Sequence, residues 1–163
     1  MLLPLFEWME QVGVFEASIY IGPVMNIVHL LSMVVFIGAN VVVDLRLLGA
    51  GLTRLPAAVV MRDAAPWFWG GLAGLVATGV PAMMAVATEL YGNSVFWVKM
   101  AALGAGLALA VAVRGRVGPL ESGAVTVASR CVGALSIVLW LVVAALARLV
   151  MIIPGDTFEW LVG

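Results

Sequence analysis

The chain has little charge, one cysteine and one histidine, and each shortage excludes a class of function. Asp, Glu, Lys and Arg make up 10% of its 163 residues, against about 25% in an ordinary soluble domain. Eight basic and nine acidic residues leave no excess of positive charge for a nucleic-acid interface. The lone Cys131 excludes an internal disulfide and a thiolate zinc site. The lone His29 excludes a site built from two imidazoles of one chain.

The sequence also lacks the motifs of common enzymes. No Ser-His-Asp set can be assembled around His29, and Gly104 and Gly106 lie inside an apolar run without the flanking strand of a dinucleotide site. The first fifteen residues contain Glu7 and Glu10 and no Lys or Arg, unlike a secretory signal. We therefore expect a non-enzymatic protein whose first span stays in the membrane.

Apolar residues, in contrast, make up 64% of the chain, and the mean hydropathy is +1.18. A soluble fold of this size cannot bury so much apolar surface. Four runs are long enough to cross about 30 Å of hydrocarbon at about 20 residues each. We place these spans at 24–43, 67–90, 95–113 and 132–153. The sequence predicts an all-α polytopic membrane protein, with 1–163 as one domain and four transmembrane helices in an antiparallel bundle.

The segments outside these spans are short or polar. Residues 1–20 mix apolar side chains with three glutamates, which is typical of an amphipathic segment at the membrane interface. Residues 44–66 are predicted to be a polar connector, and Gly92 with Asn93 predicts a tight turn between the second and third spans.

The basic residues indicate how the chain crosses the membrane. Six of the eight lie in or beside the two connectors that alternate spans place on one side: Arg46, Arg54, Arg62, Arg114, Arg116 and Arg130. By the positive-inside rule, that side is cytoplasmic. We therefore expect a multi-pass protein of the bacterial inner membrane with both termini outside, in the periplasm.

The polar residues of the first span follow one line. At about 100° per residue, four of them fall within an arc of about 60°: Asn26, His29, Asn40 and Asp44. Because polar groups are costly against lipid, we expect this stripe to face the bundle interior or a partner. The candidates for a structural polar network are Asn26, Asn40, Asp44, Arg46 and Glu89.

Under this topology, each span places one ionisable residue in the outer half of the membrane. These residues are His29, Glu89, Lys99 and Arg148. One interpretation is structural, with Glu89 neutralising Lys99 or Arg148. The other is a polar pocket, open to the outer surface, with His29 at its floor.

His29 is the candidate ligand for copper. Met25 and Met33 lie one turn away on either side, and two thioethers with an imidazole suit Cu(I). The competing interpretation is that both methionines fill the core.

The second candidate cofactor is haem b. His29 would supply one axial ligand, while Lys99 and Arg148 would hold the propionates. The other axial ligand would come from Met84, from Met100 or from a histidine of a second copy.

Two further hypotheses concern transport and association. The line from His29 through Asn40 to Asp44 crosses much of the membrane and would serve as a proton or ion pathway, although its middle is apolar. Small residues spaced four apart favour close helix packing, within the bundle or in a homo-oligomer. They are Gly70 and Gly74 in the second span, and Ala102, Gly106 and Ala110 in the third.

The chain resembles an uncharacterised family of small bacterial four-span membrane proteins of about this length. The resemblance covers most of the chain, and its most specific part is Asp-Leu-Arg-Leu-Leu-Gly at 44–49, downstream of His29. It extends to Phe-Trp-Val-Lys-Met at 96–100 and to 135–140 with Arg148. More distantly, the chain is similar to copper resistance D-like membrane proteins, which would imply copper handling.

Our leading hypothesis is an accessory or stabilising subunit of a larger inner-membrane assembly, in contact with lipid and with other subunits or further copies of itself. The alternatives are a haem b or copper protein that uses His29, and a proton or ion pathway.

Overall fold

The structure is a computed structural model that describes residues 3–12, 21–115 and 125–153. These residues form six helices and no strand: α1 (Leu3–Val12), α2 (Ile21–Leu48), α3 (Ala57–Met84), α4 (Ala87–Tyr91), α5 (Ser94–Gly115) and α6 (Val127–Ile152). Helices α2, α3, α5 and α6 are long and apolar enough to cross a membrane. The prediction of an all-α membrane protein with four spans is confirmed. The expectations for both chain ends and for Arg116 concern residues outside the described ranges.

The first membrane helix is longer than predicted at both ends. α2 runs to Leu48, so Asp44 and Arg46 belong to the helix and not to a connector. Both side chains are buried, and the contacts that bury them extend the helix beyond the purely apolar run. The helix ends at Gly49, whose φ is +77°, where the Gly49 and Ala50 amides donate back to the Arg46 and Leu45 carbonyls. This is the Schellman arrangement that favours glycine.

The second membrane helix begins earlier than predicted. The predicted span starts directly after Pro66, but the helix already contains this proline. α3 starts at Ala57 and continues through Pro66 and Pro81. Its first three turns bury side chains at helical spacing against the core, ending with the fully buried Phe68. Since Pro66 is exposed, its disruption of backbone hydrogen bonding falls on the outer side of the helix. The predicted span 67–90 is in fact two helices, because α3 ends at Met84 and α4 follows.

The four long helices pack in a definite order. α2 lies at the centre, with its most extensive contacts to α3 and further contacts to α6, and α5 packs against α6. α3 and α5 make few contacts with each other, so the bundle is least closed along this side.

An aromatic layer occupies the middle of the bundle. Phe36 of α2 lies between Phe68 of α3, with ring centroids 5.0 Å apart, and Trp140 of α6, at 4.9 Å. All three are buried. The layer lies at the level of Phe36, between the N-terminal and C-terminal halves of α2.

Glycines set the closest helix approaches. An added Cβ on Gly71 would lie 2.7 Å from the Phe36 backbone nitrogen, and one on Gly133 of α6 would lie 2.8 Å from the Asp44 carbonyl oxygen. At Gly74 a Cβ would collide with Ser32. Gly70, the other half of the predicted pair, has nothing within 4 Å. The α2–α3 seam therefore uses Gly71 and Gly74, not Gly70 and Gly74.

One end of the bundle, where α3 ends and α5 begins, is closed by α1 and α4. Phe6 of α1 is buried with Ala87 and Phe96, while the Glu10 carboxylate accepts hydrogen bonds from the Thr88 amide and hydroxyl. Leu3, Leu5 and Trp8 of α1 remain exposed, as an interfacial helix requires.

Asn93 joins the last two membrane helices. Its Oδ1 accepts from the Val95 and Phe96 amides at the start of α5, while its Nδ2 donates to the Val150 and Ile153 carbonyls at the end of α6. One side chain therefore caps two helix ends.

Candidate functional site

His29 lies in the N-terminal half of α2, the half predicted to be the outer one, and is held by α3. Its Nδ1 is 2.7 Å from the Thr78 hydroxyl, and the same hydroxyl donates to the Gly74 carbonyl at 2.7 Å. Because a hydroxyl has one hydrogen to donate, a Thr78 hydroxyl committed to Gly74 must accept from His29. A neutral imidazole then carries its proton on Nδ1 and keeps the lone pair on Nε2.

The ring has room because α3 presents a glycine to it. A Cβ on Gly79 would lie 3.1 Å from His29 Cε1, which is tighter than a normal contact. His29 is half-buried, and Nε2 has no hydrogen-bond partner within the described residues. Lys99 of α5, also half-buried, lies within electrostatic reach of the ring. The site around His29 thus combines a fixed imidazole with one nearby cation, Lys99, and one free acceptor, Nε2.

The other residues predicted for the outer half are not gathered around His29. Asn26, Glu89 and Arg148 are exposed and make no hydrogen bond or ion pair with another described residue. The suggested pairing of Glu89 with Lys99 or Arg148 is therefore absent from the described part of the chain. Asn26 lies on the outer surface of the bundle, so the predicted stripe turns inward only farther along the helix.

The two methionines flank His29 on α2, and both Met25 and Met33 are half-buried. Among residues 3–12, 21–115 and 125–153, no group of three or more His, Cys, Asp or Glu side chains is placed to hold a metal ion. A copper site here would depend on His29 and on thioether ligands, the soft donors that Cu(I) accepts.

A second polar cluster lies toward the C-terminal end of α2, around Asp44. The Ser136 hydroxyl of α6 donates to Asp44 Oδ2 at 2.8 Å. One turn away, Asn40 donates to the Phe36 carbonyl at 2.8 Å and accepts from Arg114 Nη1 at 3.3 Å. Helices α2, α5 and α6 are joined by these bonds, all among groups with little exposure.

Arg114 is, with Ser136, one of the two residues of this cluster that the sequence did not indicate as part of a site. From the sequence alone, Arg114 is a basic residue at the end of a span and indicates only the orientation of the chain in the membrane. The structure places its guanidinium 3.7 Å above the ring of Phe68 and within electrostatic reach of Asp44. Its Nε and Nη2 are buried without hydrogen-bond partners, as is Nε1 of Trp140. The spacing of Asn40 and Asp44 predicts that both side chains face the interior of the bundle. The spacing does not predict that Arg114 of α5 lies beside them.

Arg46 has a separate role at the connector. Its Nε donates to the Leu55 carbonyl at 2.5 Å, while the Ser129 hydroxyl of α6 donates to the Leu47 carbonyl. These bonds fix the chain between α2 and α3, and they fix the end of α2 against α6.

The two polar clusters are separate. His29 and Asp44 are fifteen residues apart on α2, or about 22 Å along the axis. The aromatic layer of Phe36, Phe68 and Trp140 lies between them, and no hydrogen bond among the described residues connects them. The arrangement provides two polar sites at different depths rather than one continuous line.

Comparison with known proteins gives one informative match. No curated protein and no solved structure matches the chain. A family model, described as a family of unknown function (DUF6644), matches residues 5–152. The matched range contains every residue of the two polar clusters. The chain therefore belongs to the DUF6644 family of unknown function.

Proposed function

We propose that this protein is a non-enzymatic subunit of a larger inner-membrane assembly and that it contacts its partner through the outer half of α2. The observation that supports the proposal is the exposure of this half. No residue of α2 before Phe36 is buried, although the segment contains both Asn26 and His29.

The free-energy cost of exposing a polar side chain of α2 to lipid argues for a partner. α2 has 28 residues and is about 42 Å long, which matches a bilayer of about 40–45 Å including headgroups. His29, eight residues from the start of α2, therefore lies about 12 Å inside the helix end, below the headgroups. A polar side chain at that depth is costly against lipid and cheaper against another helix. Because Nε2 is an acceptor, the matching group is a hydrogen-bond donor on a partner membrane helix.

Purification in mild detergent tests the proposal. We expect the wild-type chain to co-purify in defined stoichiometry with another membrane subunit, and His29→Ala to reduce that recovery. Leu31→Ala, which alters an exposed apolar residue two positions away, is the matched control and should retain the partner. A monodisperse monomer from the native host, unchanged by either substitution, would contradict the proposal.

A haem b or copper protein is the second candidate function, and the orientation of His29 favours it. A ligating histidine usually donates its other ring N–H to a neighbouring oxygen, as Nδ1 does here to Thr78. Lys99 lies close enough to act on a charged group near the ring. Met84 is half-buried and Met100 is exposed, so the second axial ligand of a haem could also come from another chain.

An absorption spectrum with metal analysis separates this candidate from the first. A cofactor protein expressed with iron and copper supplied should carry one of them, and His29→Ala should remove it while membrane insertion is unchanged. A colourless, metal-free preparation would exclude it. The comparisons show no similarity to copper resistance D-like proteins, so the copper version of the proposal depends on Met25, His29 and Met33 alone.

The proton or ion pathway is a third proposal, and the aromatic layer stands across its route. It predicts that Asp44→Asn changes proton flux in liposomes. An unchanged flux, at equal protein incorporation, would eliminate the pathway.

We also propose that the arginine-rich end of the bundle faces the cytoplasm. A Cys131→Ser background with Thr53→Cys, an exposed position between α2 and α3, tests this orientation. The cysteine should resist an impermeant maleimide on intact cells and react after lysis. Labelling of this cysteine on intact cells would contradict the proposed orientation and indicate the opposite one.

A further inference from the structure

A cavity opens at the arginine-rich end of the bundle, on the side where α3 and α5 make few contacts. Its volume is about 510 Å³, and one wall is a single face of α3. The residues of that face recur at helical spacing: Ala58, Arg62, Ala65 and Trp69. Arg114, in the last turn of α5, lines the cavity from the opposite side.

The cavity is lined by two arginines, and neither forms a close, buried ion pair within the described residues. Arg62 is exposed and meets only the adjacent Asp63, at 3.8 Å, and such a solvent-exposed pair is weak. Arg114 makes no salt bridge with a described residue: its Nη1 donates to Asn40 Oδ1 and to the Ala110 carbonyl, and the Asp44 carboxylate acts on its charge only at longer range. An anionic group in this cavity would be attracted by both arginines.

The depth of the cavity matches the lipid headgroups. α3 has 28 residues, or about 42 Å, close to the thickness of a bilayer with its headgroups. Arg62, five residues from Ala57, then lies about 7 Å from the helix end, at the level of lipid phosphates. Trp69, half-exposed and seven residues farther along, lies about 18 Å from the same helix end, at the depth of the acyl chains.

The remaining walls are apolar, being built from alanine, valine, methionine and proline side chains. Apolar walls beside two arginines fit a molecule with a charged head and hydrocarbon chains. Basic pockets between membrane helices are known to hold anionic headgroups. We propose that this cavity binds an anionic phospholipid, with its phosphate between Arg62 and Arg114 and the start of its acyl chains against Ala65 and Trp69. The site is independent of the partner surface on α2.

Lipid titration of the purified full-length protein, followed by native mass spectrometry, tests the site. Phosphatidylglycerol should bind the wild-type chain more tightly than phosphatidylcholine of the same acyl chains. Arg62→Gln should weaken phosphatidylglycerol binding about five-fold, the effect expected of one basic residue near an anionic membrane surface. The matched control is Arg130→Gln, which removes an exposed arginine of α6 outside the cavity and should leave the affinity unchanged.

A second pair of variants tests the cavity rather than the charge. Ala65→Phe fills the cavity and should abolish selective binding, whereas Ala77→Phe adds the same bulk to an exposed position outside it and should not. Equal affinity for the two lipids, or equal losses in Arg62→Gln and Arg130→Gln, would overturn the proposal. Displacement of the lipid by inorganic phosphate at the same concentration would also overturn it, because the site would then recognise phosphate and not the lipid.

Discussion

Replacing Gly71 by alanine should loosen the bundle at its tightest seam. The new Cβ would lie 2.7 Å from the nitrogen and 2.9 Å from the Cα of Phe36, and both are backbone atoms that cannot rotate away. Normal van der Waals separation requires about 3.5 Å, so α2 and α3 must move apart by several tenths of an ångström. Phe36 belongs to the aromatic layer, so the displacement reaches Phe68 and Trp140.

The expected cost follows from overpacking. Inserting a methyl group into a well-packed interior costs about 1–3 kcal/mol, and for a chain of this length about 1 kcal/mol shifts the melting temperature by about 2–4 °C. We expect Gly71→Ala to melt about 2–12 °C below the wild type in detergent, measured by tryptophan fluorescence or by loss of the monodisperse chromatographic peak.

The neighbouring glycine supplies the control. Gly70 has nothing within 4 Å of the added atom, so Gly70→Ala should be neutral, or slightly stabilising through its better helix propensity. Equal melting temperatures for the two variants would refute the argument, because the α2–α3 seam would then not depend on the close approach at Gly71.

Three further predictions concern individual hydrogen bonds. Asn93→Ala removes the cap shared by α5 and α6 and should lower the unfolding free energy by about 1–2 kcal/mol, measured by denaturation in mixed micelles; an unchanged stability would contradict the capping role. Ser136→Ala leaves the Asp44 carboxylate without its hydroxyl donor and should cost about 1–3 kcal/mol, whereas Ser94→Ala, at the start of α5, should cost less than half of that. Thr78→Val keeps the shape of the side chain but removes the hydroxyl that holds the His29 ring. The imidazole NMR resonances of a histidine-labelled sample should therefore broaden. An unchanged spectrum would show that Thr78 does not hold the ring.

The sequence was sufficient to predict the membrane class and the four spans, because each apolar run has to cross the same thickness of hydrocarbon. It was less informative where tertiary contacts decide the outcome. Pro66 indicated a connector, yet the helix continues through it because residues such as Met61 and Phe68 on either side are buried against the core. The turn after α3 was missed for the opposite reason, since the apolar run continues across the break at Ala85 and Val86.

The candidate site was predictable only on the helix that carries it. Periodicity indicated that Asn40 and Asp44 face inward, and the structure buries both. It did not indicate Thr78, Arg114 or Ser136, because each is an isolated polar residue on another helix. Only the packing of the helices brings them to the first span. Asn26 follows the same periodicity but lies beyond the part of α2 that its neighbours cover.

The proposed subunit role makes a claim about one surface, the outer half of α2. A photo-crosslinking amino acid at position 26 tests it in living cells, with the same probe at position 141 of α6 as the control, since Leu141 is an exposed apolar residue. We expect a discrete protein adduct from position 26 and none from position 141. Crosslinks to lipid alone at position 26, or the same adduct from both positions, would contradict it.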